Sequence, residues 1–195
     1  MNLSYENLEK VIKSKGYKFF TGEYNLNIVG IRSKNRMVDN WDDFLCILYE
    51  ENKIRKCIVF DRFTTDPGIY YMQKKLLNPK GCGILAPGQY SGIWTLGLHR
   101  NKYKAFIQTG NEVTAYRDRN LNNYMDFDPN TLESGYFGCN LHHGYDSTFV
   151  GNNSAMCQVL KYVKDLRVVL ALADKQISAG YGSTFTYTLL REEDL

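Results

Sequence analysis

Short segments with a hydrophobic period of two, cut apart by turn formers, constrain this chain more than any other feature. "YNLNIVGIRS", "DFLCILYEE", "IRKCIVFDRF", "SGIWTLGLHR", "KAFIQTG", "VTAYRDR" and "TFTYTLL" are rich in β-branched and aromatic residues. "DPG", "NPKG" and "APGQ" divide them. Such a chain folds as a mainly β body of α+β class.

Two segments break the pattern. In "LSYENLEKVIKSKG", Ser4 is placed to cap a helix, Leu8, Val11 and Ile12 share a face, and Gly16 can end the turn. Near the other end, "VLKYVKDLRVVLALADK" puts Leu160, Val163, Leu166, Leu170 and Ala173 on one apolar stripe, which predicts a long helix over 159–175. The expected organisation is a helical preface over 1–20 and a single domain over 21–195.

With 195 residues the chain can bury a sizeable core without staples. Cys46, Cys57, Cys82, Cys139 and Cys157 are odd in number and never spaced as C-x-x-C, which argues against both a disulfide framework and a zinc site. The 24 basic and 21 acidic residues are spread along the chain, so no nucleic-acid partner is expected. No apolar run is long enough for a signal peptide or a membrane span.

The chemistry concentrates in "NLHHGYDSTFVGNNSAMCQVL". Cys157 is expected at a strand-to-helix turn, where helix N-terminal amides would favour a thiolate and an oxyanion. His142 or His143, ending the strand in "FGCNLHH", can supply the imidazole that takes the thiol proton. On a strand their side chains point to opposite faces, so at most one meets the cysteine. The plainer reading is a buried free cysteine beside two exposed histidines.

This run resembles the active-site signature of the L,D-transpeptidase catalytic domain family, in which a strand-end histidine precedes a Ser/Thr-x-Gly-Cys turn. "TTDPGIYY", "GILAPGQYSGIW" and "AYRDRNLNNYMDFDP" are also similar to a group of tailed-phage proteins suspected of being cell-wall lytic enzymes. The resemblance implies a β-sandwich or mixed-sheet core and a cysteine enzyme acylated through Cys157. Its partners would be peptidoglycan stem peptides, and catalysis would need no metal. His142 takes the place of the family's histidine, Ser154 that of the turn Ser/Thr, and Met156 that of the glycine before the nucleophile. Ser154 would orient the histidine or line the oxyanion pocket, with backbone amides around Met156 and Cys157 as donors.

An L,D-carboxypeptidase or endopeptidase of endolysin type is expected, with a catalytically impaired wall-binding or virion-structural protein as the alternative. Such a protein would be made in the host cytoplasm without a signal peptide and reach the wall after release or delivery. Around the nucleophile, His143, Gln89, Tyr90 and Trp94 are candidates for substrate binding. A separate structural calcium site is conceivable where Asp118, Asn120, Asn122, Asp126 and Asp128 alternate oxygen ligands, against a plain Asx-rich turn. His99, before the basic turn of Arg100, Lys102 and Lys104, reads as part of a solvated hairpin end.

Overall fold

The computed structural model describes residues 1–195. Helix α1 (Tyr5–Ser14) opens the chain, with the Ser4 hydroxyl accepting the Asn7 N–H at 3.3 Å as its cap. Gly16 follows at φ +74°, ending the helix as its position suggests. Tyr5, Leu8 and Ile12 are buried, and Val11 is partly so.

The strands are β1 (Asn27–Arg32), β2 (Asp43–Glu51), β3 (Ile54–Thr64), β4 (Cys82–Leu85), β5 (Gly88–His99), β6 (Tyr103–Gln108), β7 (Val113–Asp118), β8 (Glu133–Gly135), β9 (Leu141–His143), β10 (Gln158–Leu160) and β11 (Thr184–Arg191), with helix α2 (Val163–Ser178) before the last. Eight of them close a mixed barrel in the order β1-β11-β5-β6-β9-β10-β3-β2, while β4, β7 and β8 form a separate small sheet. The β1–β11 and β9–β10 pairs are parallel and the other barrel pairs antiparallel. The protein is thus mainly β with an N-terminal helix and one long later helix, and its mixed sheet is closed on itself.

Barrel closure explains why β1 and β2 read as almost continuous apolar runs. Ile28, Leu45, Ile47 and Tyr49 belong to the interior cluster, whereas Val29, Ile31, Cys46 and Leu48 pack outward against α1. Both faces of these strands are therefore covered. Trp94, Phe106, Phe185 and Tyr187 fill the interior, with the Trp94 and Tyr187 rings 4.8 Å apart. Gly30 is required beneath Tyr187, since a Cβ there would lie 1.8 Å from the phenol oxygen.

The long helix begins later than its stripe predicts. Residues 158–160 are strand β10, paired with β9 on one side and β3 on the other. An apolar run this short fits either period, and the vacant position between β9 and β3 decides it. Leu166, Val169, Leu172 and Ala173 of α2 then pack into the barrel's apolar cluster. No helix is long and apolar enough to cross a membrane.

Candidate active site

Cys157 is the residue before β10, not the first residue of a helix. The expected support from helix N-terminal amides is absent, because α2 starts at Val163. A turn ending in Ser154, Ala155 and Met156 delivers it instead. The Ser154 hydroxyl donates to Cys157 O at 2.9 Å and accepts the Met156 N–H at 3.3 Å. Both of these bonds lie inside the turn, so the buried hydroxyl braces the turn.

Met156 adopts φ +155°, in the region that favours glycine. Its side chain is buried, with Sδ packed so closely over Gly83 that a Cβ at that glycine would lie 2.8 Å from the sulfur. The turn keeps a glycine-like backbone with a methionine in it. Since the Met156 N–H is taken by Ser154, the free amide at the nucleophile is that of Cys157, which reaches no acceptor in the protein.

A cleft of about 360 Å³ opens beside the thiol, and its walls include His99, Arg100, Arg117, Asn140, Met156 and Cys157. The thiol donates to Gly138 O at 3.4 Å. Burial pushes its pKa up, opposed by the Asn140 N–H and by the positive charge of Arg100. At rest it is a neutral thiol.

His142 and His143 diverge as strand geometry requires. The His143 ring lies flat on Tyr103, centroids 4.1 Å apart, and edge-on to Tyr145, outside the cleft wall. The His142 ring instead stacks on His99 at 4.1 Å and 24°. His142 Nδ1 lies 2.9 Å from His143 O, a carbonyl that can only accept, so Nδ1 carries the proton. Its Nε2 lone pair is buried without a partner. Burial, then the neighbouring His99, lowers the His142 pKa to about 3.

His99 was expected in a solvated hairpin end and is instead 6% exposed. Arg100 and Asn101 turn the hairpin at φ +50° and +57°, which leaves His99 as the last residue of β5 against β9's histidine. Its Nδ1 faces Asn140 Nδ2 at 3.4 Å, while Asn140 Oδ1 accepts the Gln108 N–H at 2.8 Å. With Nδ1 facing a donor, the proton sits on Nε2. Burial, then Arg100, holds the His99 pKa down at about 4.

The proposed cleft wall of Gln89, Tyr90 and Trp94 lies elsewhere. Trp94 and Tyr90 turn into the barrel, where Trp94 Nε1 donates to Cys139 O at 2.7 Å and the Tyr90 hydroxyl to Ala86 O at 2.5 Å. Gln89 bridges Lys18 and Thr188. The aromatic residues of this segment serve the core because β5 is a central barrel strand.

In the Asx-rich loop, the Asp118 carboxylate accepts the N–H groups of Asn120 and Asp126, and Asn122 accepts that of Tyr124. Asn120 Nδ2 donates to Asp126 at 2.5 Å, and Asp128 caps the turn at Asn130. These oxygens hold the loop to itself, apart from Asp126 Oδ1, which accepts from Arg36 at 2.8 Å. The carboxylates gathered within 4.8 Å of one another are Asp42, Asp43 and Asp66.

Sequence reasoning missed His99, Arg100, Arg117 and Asn140 as cleft residues. They come from the ends of β5 and β7 and the approach to β9, and only the meeting of the barrel with the small sheet brings them together. Arg117 is the most firmly placed: its Nε donates to Glu133 at 2.6 Å and its guanidinium lies 4.5 Å from the Phe137 ring centroid. The chemistry of this cleft rests on its own residues, for comparison with known proteins finds no matching family model, no matching curated protein and no matching solved structure.

Proposed function

We propose that this protein is a cysteine-dependent acyl-transfer enzyme of L,D-transpeptidase type that cuts peptidoglycan stem peptides, acting as an L,D-carboxypeptidase or endopeptidase in the manner of a phage endolysin. The observation that carries this reading is Cys157 and His99 at the wall of an open cleft, with the uncharged His142 ring stacked on His99 and its Nε2 left without a partner.

In this reaction the thiol turns from Gly138 O and passes its proton to His142 Nε2 as sulfur attacks the substrate carbonyl. The tetrahedral oxyanion accepts the free Cys157 N–H. His142, now protonated, gives its proton to the leaving amine as the carbon–nitrogen bond breaks and the thioester forms. Water then attacks the thioester, returning a proton to sulfur and releasing the acid. His99 is the positioning residue, holding the His142 ring by stacking.

Burial raises the thiol and lowers both imidazoles, so the resting state is a neutral pair and not a thiolate–imidazolium ion pair. Proton transfer is thereby coupled to attack. Arg100 and Arg117 at the cleft wall suit the carboxylates of a stem peptide.

Met156 favours a second reading, a wall-binding or virion-structural protein without turnover: its backbone sits where glycine belongs, and its N–H is spent on Ser154. The deciding experiment is incubation with defined stem tetrapeptides and cross-linked muropeptides, followed by mass spectrometry of products and intact protein. An adduct on Cys157 with loss of a D-amino acid or cleavage of a cross-link supports the enzyme; binding without adduct or product supports the second reading.

A further inference from the structure

Away from the cleft, Asp42 and Asp43 at the start of β2 meet Asp66, just beyond β3, with one ligand oxygen from each lying within 4.8 Å of the others. Asp43 and Asp66 are fully buried and Asp42 is half-buried at the edge of the group. A group of acids alone is not a site. What distinguishes this one is that Asp66 Oδ2 and Asp42 Oδ1 are both shielded from solvent and have no hydrogen-bond partner.

The remaining oxygens are satisfied. Asp43 accepts the Ser33 N–H at 2.7 Å and the Thr65 N–H and hydroxyl at 2.6 and 2.8 Å. Asp66 Oδ1 lies 3.2 Å from the Thr65 hydroxyl and 3.3 Å from Arg32 Nε, and Asp42 Oδ2 accepts Asn35 Nδ2 at 2.7 Å. These bonds fix the three carboxylates in place and leave two bare oxygens. Arg32 cannot turn to cover them: its guanidinium is also held by Thr65 Oγ1, Thr65 O and Leu85 O.

Charge points the same way. Three carboxylates gather in a buried place around a single guanidinium, that of Arg32 beside Asp66. Hard oxygen donors of this kind select calcium or magnesium over softer metals.

We infer that Asp42, Asp43 and Asp66 form a binding site for a hard divalent cation of calcium's class, entered past the half-buried Asp42, with Asp66 Oδ2 and Asp42 Oδ1 as its direct ligands. Such a cation sets the position of the Asp66-Pro67-Gly68 segment. Gly68 N–H donates to Ser154 O at 2.8 Å, and Ser154 in turn braces Cys157, so the ion stiffens the turn that carries the thiol. The site itself does not depend on the chemistry assigned to Cys157.

Terbium tests it, because a lanthanide takes calcium's oxygen ligands and Trp41, next in the chain to Asp42, can sensitise its emission. The readouts are terbium emission excited through tryptophan, its competition by calcium, and the shift of Tm with calcium chloride. Calcium-competed emission and a raised Tm are expected. Asp42→Asn or Asp66→Asn should weaken binding by at least the roughly 10–100-fold that loss of an outer-shell partner costs, while Asp126→Asn in the Asx-rich loop leaves it intact. Asp42→Asn, at a half-buried position, keeps the test open should Asp66→Asn fail to fold.

The inference stands if emission is lost in at least one of the first two variants while that variant stays folded, and is kept in Asp126→Asn. Every other pattern overturns it, including emission that survives both variants or disappears with Asp126→Asn. A folded wild-type protein with no emission and a Tm indifferent to calcium overturns it too.

Discussion

The rings of His99 and His142 lie 4.1 Å apart and nearly parallel, one from the end of β5 and the other from the middle of β9. Burial lowers both pKa values, to about 4 and about 3. Between those values and the ordinary 6.5, the unfolded chain holds protons that the native state refuses. The stability contributed by the pair is therefore complete above pH 6.5 and is lost as pH falls through about 4 and about 3. Near pH 5, unfolding takes up about two protons at this pair. Denaturant titrations from pH 4 to 7 should show His99→Gln with a shallower loss toward acid than wild type; parallel curves would refute the neutral stack.

Cys157→Ala should abolish adduct formation and turnover while changing stability by less than about 1 kcal/mol, since the residue is half-buried and the bond its thiol donates is the long 3.4 Å one to Gly138 O. Intact-mass measurement and a Tm on the same sample check both halves. Full activity in this variant would end the acyl-enzyme reading.

At Met156 the usual order of alanine over glycine should reverse. Both substitutions lose the buried side chain, at a cost of about 2–5 kcal/mol. Glycine alone also relieves the φ +155° backbone, recovering about 1–3 kcal/mol. Met156→Gly should accordingly unfold at higher denaturant than Met156→Ala, and an alanine variant that is the more stable of the two would show that the turn is not strained.

Arg117→Gln should raise KM several-fold for substrates carrying a carboxylate near the scissile bond, with little change in kcat. Amidated substrates should be indifferent to it. Because Arg117 is already ion-paired with Glu133 at 2.6 Å, Glu133→Gln is the informative partner. It frees the guanidinium and should lower KM for the same acids, as steady-state kinetics on paired substrates would reveal.

The strands were legible in sequence where period and turn chemistry agreed. "DFLCILYEE" is β2 residue for residue, and "TFTYTLL" is β11 short of its final arginine. What failed was whatever depends on neighbours far along the chain. Gln158–Leu160 forms a strand only because β9 and β3 flank it, and Tyr90 and Trp94 look like a binding wall until closure turns them inward. The site was half legible for the same reason. His142 and Cys157 stood close in sequence, whereas His99 and Arg117 reach the cleft through hairpins whose packing no local pattern encodes.

The barrel's ladders are uneven. β2 and β3 share a long ladder, but β6 meets β9 through the single pair Phe106 and Leu141, and β10 holds β3 only at Val159 and Leu160. The cylinder is thus thinnest along the β6–β9 seam, with His142 and Cys157 together on its β9–β10 side. Amide exchange should release first along this seam, because few cross-strand bonds must break to open it. Widening the cleft to admit a peptide and unfastening the cylinder would then be one motion.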